Sequence, residues 1–315
     1  MKKNLLYGPV TSRRLGLSLG IDAVPYKACT LDCIYCQIGR TEKTTVKRRD
    51  FGCADAIFNE LAGRLEDGLR ADHITIGGSG EPTLNTEIGK IISGIRKMTD
   101  IPVAVLTNGT LLWDPAVQDA LMEANVVLPS LDAADEETFQ RINRPHPDIS
   151  FQRTVEGLAS FSKRFGGSIW LEVFLVDPIN TSERHLKKLK SLAERIGCNK
   201  IHLNTAVRPP AEGFVRPLGR EALEAAARRI GNNAEVIAEF HDEKGNTRQP
   251  EKKLLESDLI GMLRRRPCTA GDIAAGLGVE ESAAQALAER LAADGRVEIR
   301  ESGSETFYVC PVQSL

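Results

Sequence analysis

Residues 17–36 read Leu-Ser-Leu-Gly-Ile-Asp-Ala-Val-Pro-Tyr-Lys-Ala-Cys-Thr-Leu-Asp-Cys-Ile-Tyr-Cys, and they predict both the fold and the chemistry of this chain. The first six residues alternate as a strand does, and three cysteines, Cys29, Cys33 and Cys36, follow in one loop. The remaining cysteines show no ligand-like spacing among themselves: Cys53, Cys198, Cys268 and Cys310. The triplet is therefore the candidate metal site.

Beyond this stretch, short β-rich runs alternate with helical runs, which is the pattern of parallel βα units. The predicted strands are 17–22, 73–77, 103–107, 126–131, 169–176 and 200–205. Helices are predicted near 53–68, 86–98, 115–123, 151–165, 182–196 and 219–231, before an extended run near 234–240. Since a closed TIM barrel has eight such units, we predict an α/β fold over 1–240, an open (β/α)6 partial TIM barrel.

The C-terminal part of the sequence has a different pattern. Residues 241–253 are polar and rich in breakers, which predicts a linker. Residues 254–315 predict three helices (254–265, 270–277 and 281–294) and a hairpin (296–300 with 306–310), the layout of a small winged helix–turn–helix domain.

The charge of this predicted domain disfavours binding to DNA. Its longest helix, 280–294, has one arginine and four acidic residues. Residues 251–315 contain eight Lys/Arg and eleven Asp/Glu, a net charge of −3, which DNA phosphates would repel. We therefore expect the domain to pack on the barrel, to dimerise, or to bind a peptide or protein.

The overall composition excludes several broad classes of protein. The formal net charge of −2 predicts no general attraction to nucleic acid or to anionic membranes. No apolar run approaches the ~20 residues of a membrane helix, and the N-terminus is too short in its apolar part for a signal peptide. We expect a cytoplasmic protein without membrane partners, in which cysteines indicate metal binding or catalysis.

Three thiolates suit a cuboidal iron–sulfur cluster, because its fourth iron is then left to bind a small molecule. A structural zinc site is the alternative, but zinc prefers four ligands and no fourth cysteine or histidine lies nearby. The spacing of Cys29, Cys33 and Cys36, with Tyr35 before the last cysteine, resembles the radical SAM superfamily.

This resemblance implies a particular set of cofactors and partners. A [4Fe–4S] cluster on the three cysteines would bind S-adenosylmethionine (SAM) through its amino and carboxylate groups. The reduced cluster would cleave SAM to a 5′-deoxyadenosyl radical, which abstracts hydrogen from a substrate. The resemblance also implies a low-potential electron donor such as flavodoxin or ferredoxin. The cofactors would carry out the radical chemistry, and the protein would position the substrate.

The segment after the second predicted strand, Gly77-Gly-Ser-Gly-Glu-Pro-Thr83, is similar to the glycine–glutamate loop of the same superfamily. The resemblance implies that Gly78, Gly80 and Glu81 bind the methionine ammonium of SAM through backbone carbonyls and the carboxylate. A tight turn with a helix-capping acid is the alternative.

Polar residues also follow the next two predicted strands. Asn108 lies in Thr-Asn-Gly-Thr and suits the ribose or the methionine carboxylate, with an Asx-turn as the alternative. Ser130 and Asp132 lie in Pro-Ser-Leu-Asp, for which a helix cap by Asp132 is the alternative. By the superfamily resemblance, Tyr35 and these residues are expected to be cofactor-binding.

Longer segments resemble a narrower branch, which is related to the tRNA wyosine-base synthases and includes proteins named Fe–S oxidoreductases. These segments are 7–22, 130–133, 142–145 and 204–210. Wyosine synthases carry a second cysteine-bound cluster, and the four scattered cysteines here do not indicate one. The resemblance therefore favours the branch more than the wyosine reaction.

Four arginines are candidate substrate-binding residues: Arg13, Arg14, Arg144 and Arg208. Residues 1–50 contain ten Lys/Arg and four Asp/Glu, an excess of +6 that suits a phosphate-bearing substrate or an acidic electron donor. A solvated surface is the alternative for the charge run, and salt bridges that close the barrel are the alternative for Arg144 and Arg208. Glu172 and His202 are expected to be a satisfied polar pair inside the barrel.

Three functions remain open from the sequence. The first is a radical SAM enzyme that acts on an RNA base or another phosphorylated substrate. The second is a radical SAM enzyme that modifies or activates a peptide or protein, for which the acidic winged helix is a candidate gripping module. The third is a regulator that uses the cluster and the winged helix without turnover.

Overall fold

A computed structural model of the chain describes residues 5–238, 256–303 and 305–311. In the N-terminal part, the strands are β1 Leu6–Ser12, β2 Gly16–Asp22, β3 His73–Gly77, β4 Val103–Thr107, β5 Val126–Pro129, β6 Ser168–Phe174, β7 Lys200–Asn204 and β8 Ala234–Val236. The helices are α1 Ala54–Glu66, α2 Ile88–Met98, α3 Pro115–Leu121, α4 Glu136–Asn143, α5 Phe151–Arg164, α6 Glu183–Ile196 and α7 Arg220–Ile230. None of the described helices is long and apolar enough to cross a membrane.

The eight strands form one sheet in chain order, from β1 to β8. All neighbours from β2 onward pair in parallel, whereas β1 is antiparallel to β2. Parallel strands are buried on both faces, which is why β3 and β4 are nearly continuous runs of buried residues. The predicted α/β partial barrel is therefore confirmed.

The edge strand β1 was not predicted, because Gly8 and Pro9 lie within it and are typical breakers of strand patterns. Proline is tolerated at a sheet edge, where its missing N–H costs no ladder hydrogen bond. The pairing of β1 with β2 shifts register between Tyr7 and Val10, so the strand contains an irregularity at this dipeptide.

The helices cover the sheet with regularly spaced apolar side chains. In α2, Ile88, Ile91, Ile92 and Ile95 are fully buried at the spacing of one helix face. The helix α4 was not predicted, since it is mostly polar and buries only four of its residues: Thr138, Phe139, Ile142 and Asn143.

The C-terminal part consists of α8 Glu256–Leu263, α9 Ala270–Leu277, α10 Glu281–Ala293 and a hairpin of β9 Glu298–Ser302 with β10 Glu305–Val309. These elements enclose their own cluster of buried apolar residues, separate from the barrel core. A capping box between Thr269 and Asp272 begins α9. The predicted linker 241–253 and the predicted first residues of α8 lie outside the described residues.

Charged contacts join the C-terminal part to the barrel. Arg265 donates to the Asp22 carboxylate at 2.9 Å, and its guanidinium lies 4.1 Å from the ring centre of Tyr7. Arg208, which follows β7, pairs with Asp272 of α9 at 3.2 Å. The helix α9 also lies close to β1, so the C-terminal part packs on the barrel at the edge of the sheet that β1 forms.

Candidate active site

The cysteine loop leaves β2 and carries Cys29, Cys33 and Cys36 along one wall of a cavity of about 1570 Å³. Each thiol has its own N–H donor. The pairs are Asn108 Nδ2 to Cys29 Sγ at 3.6 Å, Asn143 Nδ2 to Cys33 Sγ at 3.4 Å, and Lys27 Nζ to Cys36 Sγ at 3.5 Å. Donors of this kind stabilise thiolate ligands and influence the potential of a cluster, so the loop fits an iron–sulfur cluster.

Burial is the main influence on the thiols. It raises the pKa of Cys29 to about 12, with the nearby Glu81 carboxylate adding to the effect. The pKa of Cys33 is raised well above its usual range by burial and by Asp132. Cluster binding must therefore displace protons from these thiols, as ligation by thiolate requires.

Across the described ranges, no three His, Cys, Asp or Glu side chains are close enough to bind a single metal ion. Three thiolates without a fourth ligand suit a cuboidal cluster, whose fourth iron is left open, better than the four-ligand site that zinc prefers.

Tyr35 and Asp132 meet in the structure. The Tyr35 hydroxyl donates to Asp132, and the Tyr35 ring stacks on Phe174 with 3.9 Å between ring centres. Asp132 also accepts hydrogen bonds from Asn143 Nδ2 at 2.7 Å and from the Phe174 N–H at 2.8 Å, and burial raises its pKa. The alternative of a helix cap by Asp132 is wrong, because Asp135 caps α4.

The glycine-rich segment 77–81 lies directly against the cysteine loop. Gly78 has a φ of +105°, and a Cβ there would lie 1.9 Å from Asp22 Oδ1. The Ser79 carbonyl accepts from the Lys27 N–H at 2.7 Å, and the Glu81 N–H donates to the Ala28 carbonyl at 2.8 Å. Two backbone hydrogen bonds thus join the glycine loop to the residues that precede Cys29.

Glu81 is 2% exposed and already has several partners. Its Oε1 accepts from the Thr83 N–H at 3.0 Å, and from the hydroxyls of Thr83 at 2.6 Å and Thr107 at 2.7 Å. Its Oε2 accepts from the Asn108 N–H at 2.7 Å. The capping role is thus present, and it fixes the carboxylate at the wall of the site.

Asn108 forms the Asx-turn that the sequence left open. Its Oδ1 accepts from the Thr110 N–H at 3.1 Å and from the Thr110 hydroxyl at 2.8 Å. Its Nδ2 donates to Thr30 Oγ1 at 2.7 Å in addition to its contact with Cys29. Asn108 therefore braces the cysteine loop.

A smaller cavity of about 250 Å³ collects most of the residues that the sequence singled out. Its lining includes Cys29, Tyr35, Gly78, Gly80, Glu81, Asn108, Ser130 and Asp132. These residues follow four successive strands, and parallel strands present their carboxyl ends at one edge of the sheet. The structure thus brings the predicted cofactor-binding residues together.

Three of the four candidate substrate-binding arginines line the larger cavity: Arg13, Arg14 and Arg208. Arg14 forms an ion pair with Glu172, and burial followed by the charge of Arg13 lowers the pKa of Arg14 to about 10. Arg144 lines neither cavity and instead pairs with Glu212 and Asp32, so the salt-bridge alternative describes its observed role.

Glu172 and His202, which the sequence suggested as a polar pair inside the barrel, have different hydrogen-bond partners. Glu172 contacts Arg14 and Asn204, whereas His202 contacts Glu235 of β8 at 2.9 Å. Sequence reasoning missed Lys27, which contacts Cys36, and Arg265, which contacts the Asp22 carboxylate that also accepts from the Ser79 N–H of the glycine loop. The position of Lys27 two residues before Cys29 is the one local signal that points to it.

Comparisons with known proteins agree with this geometry. A profile of the radical SAM superfamily matches residues 23–189, more than half of the chain. A Brachyspira hyodysenteriae protein named GTPase Obg is 38% identical, and the match covers 94% of this chain but 44% of that protein. A UPF0026 protein from Helicobacter pylori is 31% identical over 98% of both chains. Streptococcus suis SuiB, solved with SAM bound, superposes with a TM-score of 0.51 at 15% identity, over 70% of this chain and 47% of SuiB, which is a likeness of fold.

The chain therefore belongs to the radical SAM superfamily. Members use a [4Fe–4S] cluster and SAM, so this chain is an enzyme that uses both. Within that class it belongs with the UPF0026 proteins.

Proposed function

We propose that this enzyme holds its [4Fe–4S] cluster on Cys29, Cys33 and Cys36, cleaves SAM reductively, and takes hydrogen from an anionic substrate. One observation carries the proposal. Cys29 and the polar residues at the strand ends line the smaller cavity, and all three cysteines line the larger one. When bound, the reduced cluster supplies one electron to SAM, which yields methionine and a 5′-deoxyadenosyl radical. We propose flavodoxin or ferredoxin as the source of that electron.

The residues of the chain position SAM and limit access of water. Glu81 is oriented by its hydrogen bonds so that its carboxylate can accept the methionine ammonium, and the carbonyls of Gly78 and Gly80 add further acceptors. Tyr35 and Asp132 line the same cavity and are held in place by their mutual hydrogen bond. Ser130 and Asn108 complete the proposed cofactor contacts at the strand ends.

Changing Gly80 to alanine is expected to weaken SAM binding about tenfold or more. Its Cβ would lie 2.3 Å from the Ala28 carbonyl oxygen, so the glycine loop must move away from the cysteine loop. Overpacking of this kind costs about 1–3 kcal/mol. Calorimetric titration with SAM measures the effect.

Gly63→Ala is the matched control, because, apart from its chain neighbours and the nearby backbone of α1 itself, no described atom lies within 4 Å of the added Cβ. It should leave SAM affinity unchanged and slightly stabilise α1. Equal SAM affinity in wild type and Gly80→Ala would contradict the role of this loop.

Basic side chains among the residues that line the larger cavity support a phosphorylated or otherwise anionic substrate. Arg13, Arg14 and Arg208 face a space that is well above the ~300–1,000 Å³ of ordinary small-molecule sites, which leaves room beside SAM. Arg14 and Arg208 pair with Glu172 and Asp272, so an anionic substrate would share these guanidinium groups with the carboxylates that already contact them. The wyosine-like segments support an RNA base as the substrate.

We further propose that the C-terminal part, 254–315, is a winged-helix domain that closes one side of this cavity, while 1–240 is the barrel domain. The order of α8, α9, α10 and the hairpin supports this division, as does the separate apolar core. The ion pair between Arg208 and Asp272 supports the closure.

A peptide or protein substrate is the second candidate, and the outer wall of the cavity favours it. The acidic side chains of that wall are Glu280, Glu281, Glu289 and Glu301, all exposed. They would attract a basic peptide and repel the phosphates of a long RNA.

Anaerobic production of 5′-deoxyadenosine distinguishes the candidates. The reduced enzyme is supplied with SAM and with cell extract that has been treated with nuclease or protease. We expect stimulation that survives protease but not nuclease, as an RNA substrate requires. The reverse result would establish the peptide candidate, and stimulation that survives both treatments would indicate a small anionic molecule. Production no higher than in a Cys33→Ala control under all conditions would refute the proposed function.

A further inference from the structure

We propose that Lys27 sets the reduction potential of the cluster by holding its ammonium group against the Cys36 sulfur. This inference rests on the proposed cluster ligands. Lys27 is a positioning residue, since it acts on the cluster through a ligand.

The contacts of the Lys27 side chain place its charge at the end of the cysteine loop. Nζ lies 3.5 Å from Cys36 Sγ and also donates to the carbonyl of Gly39. The Gly39 N–H in turn donates to the Cys36 carbonyl at 3.1 Å. The ammonium is thus held between a thiol and the turn that follows it, and the residue is partly buried.

The backbone of Lys27 has a conformation that a lysine would not adopt without compensation. Its φ is +59°, in the left-handed region, which costs a non-glycine residue about 1–3 kcal/mol. Glycine or asparagine would form this turn at lower cost. The presence of a lysine here therefore points to a use for its side chain at this position.

This backbone conformation links the two halves of the site. The Lys27 N–H donates to the Ser79 carbonyl in the glycine loop at 2.7 Å, while the side chain reaches Cys36. The ammonium is therefore fixed relative to both the proposed SAM loop and the cysteine loop.

Lys27 differs in charge from the donors at the other two thiols. Cys29 and Cys33 contact the neutral amides of Asn108 and Asn143. Because reduction adds one negative charge to the cluster, a nearby ammonium stabilises the reduced state more than the oxidised state. Hydrogen bonds to the sulfurs and positive charge near them raise the reduction potential of a cluster, so loss of Lys27 should lower that potential.

The test is a spectroelectrochemical titration of the reconstituted full-length enzyme, without SAM. In Lys27→Met the equilibrium constant for reduction should fall about tenfold, which is a shift of about 59 mV for one electron. Lys27→Arg keeps the charge and should remain close to wild type. The matched control is Lys90→Met, which removes an exposed lysine that pairs with Glu87 on the outer surface.

An unchanged potential in Lys27→Met with a full complement of cluster would overturn the proposal. If Lys27→Met does not retain its cluster, Lys27→Gln decides the matter, because it keeps an N–H donor without the charge. The same shift to lower potential is then expected, and an unchanged value overturns the proposal.

Cys36→Ala separates this inference from the proposed function. A cluster with normal absorbance and iron content in Cys36→Ala would refute the ligand assignment itself. A cluster that requires Cys36 but has the same potential with and without Lys27 would refute only the role of the lysine.

Discussion

Changing Cys33 to alanine is expected to abolish the visible absorbance of the iron–sulfur cluster and all production of 5′-deoxyadenosine. Three thiolates hold three irons, so loss of one ligand leaves a second iron without a protein ligand. Cys33 is also the thiol that accepts from Asn143 Nδ2 on α4, so its loss removes that contact as well. Iron content and the absorbance spectrum after anaerobic reconstitution measure the effect.

Cys198→Ala is the matched control for this change. Cys198 is a partly buried free cysteine that follows α6 and lines neither cavity. Its removal should leave the spectrum and the iron content unchanged. A normal spectrum in Cys33→Ala, or loss of the cluster in Cys198→Ala, would show that the cluster ligands are assigned wrongly.

Changing Arg265 to methionine is expected to lower the free energy of unfolding by about 3–5 kcal/mol, because it leaves a buried carboxylate without its counter-charge. The Asp22 side chain is 3% exposed, and that of Arg265 is 11% exposed. Asp22 also accepts from the N–H of Ser79 at 2.7 Å, so the glycine loop should loosen and SAM affinity should fall as well. Urea unfolding and calorimetric SAM titration measure the two effects.

The double variant Asp22→Asn/Arg265→Met should recover part of the lost stability, since it leaves no unpaired buried charge. Arg290→Met is the surface control. Arg290 pairs with Glu256 where the side chains are 60% and 43% exposed, and such pairs contribute about 0–1 kcal/mol. A loss in Arg265→Met no larger than in Arg290→Met would mean that the buried pair does not join the two parts of the chain.

The central strands were predictable from the sequence because burial on both faces leaves a local pattern. The bounds predicted for β3 and β4 are those observed, and each strand is a short run rich in β-branched residues between turns. The cysteine loop and the glycine loop were likewise predictable, since each motif lies within a few consecutive residues. The two loops lie close together because both follow strands of one parallel sheet at the same edge.

Contacts between distant segments were not predictable from the sequence. Asp132 was expected to bind the cofactor, with a helix cap as the alternative, but its hydrogen bonds from the Tyr35 hydroxyl and the Phe174 N–H were not foreseen. The pair of Arg208 with Asp272 joins residues 64 positions apart, and no local pattern specifies which carboxylate an arginine will meet. Lys27 was missed for the same reason, because its importance depends on the distance to Cys36 in the folded loop.

The chain-order arrangement of the sheet has a consequence for synthesis of the protein. Each strand pairs with the one made just before it, so the sheet can lengthen strand by strand as the chain leaves the ribosome. The donors to the first two cysteines, Asn108 and Asn143, emerge well after the loop that they contact. We therefore expect a nascent chain that ends near residue 100 to capture iron poorly, and capture to begin once α4 has folded. Arg265 emerges last among these residues, so the contact that joins the segment after α8 to Asp22 forms after the metal-binding loop is complete.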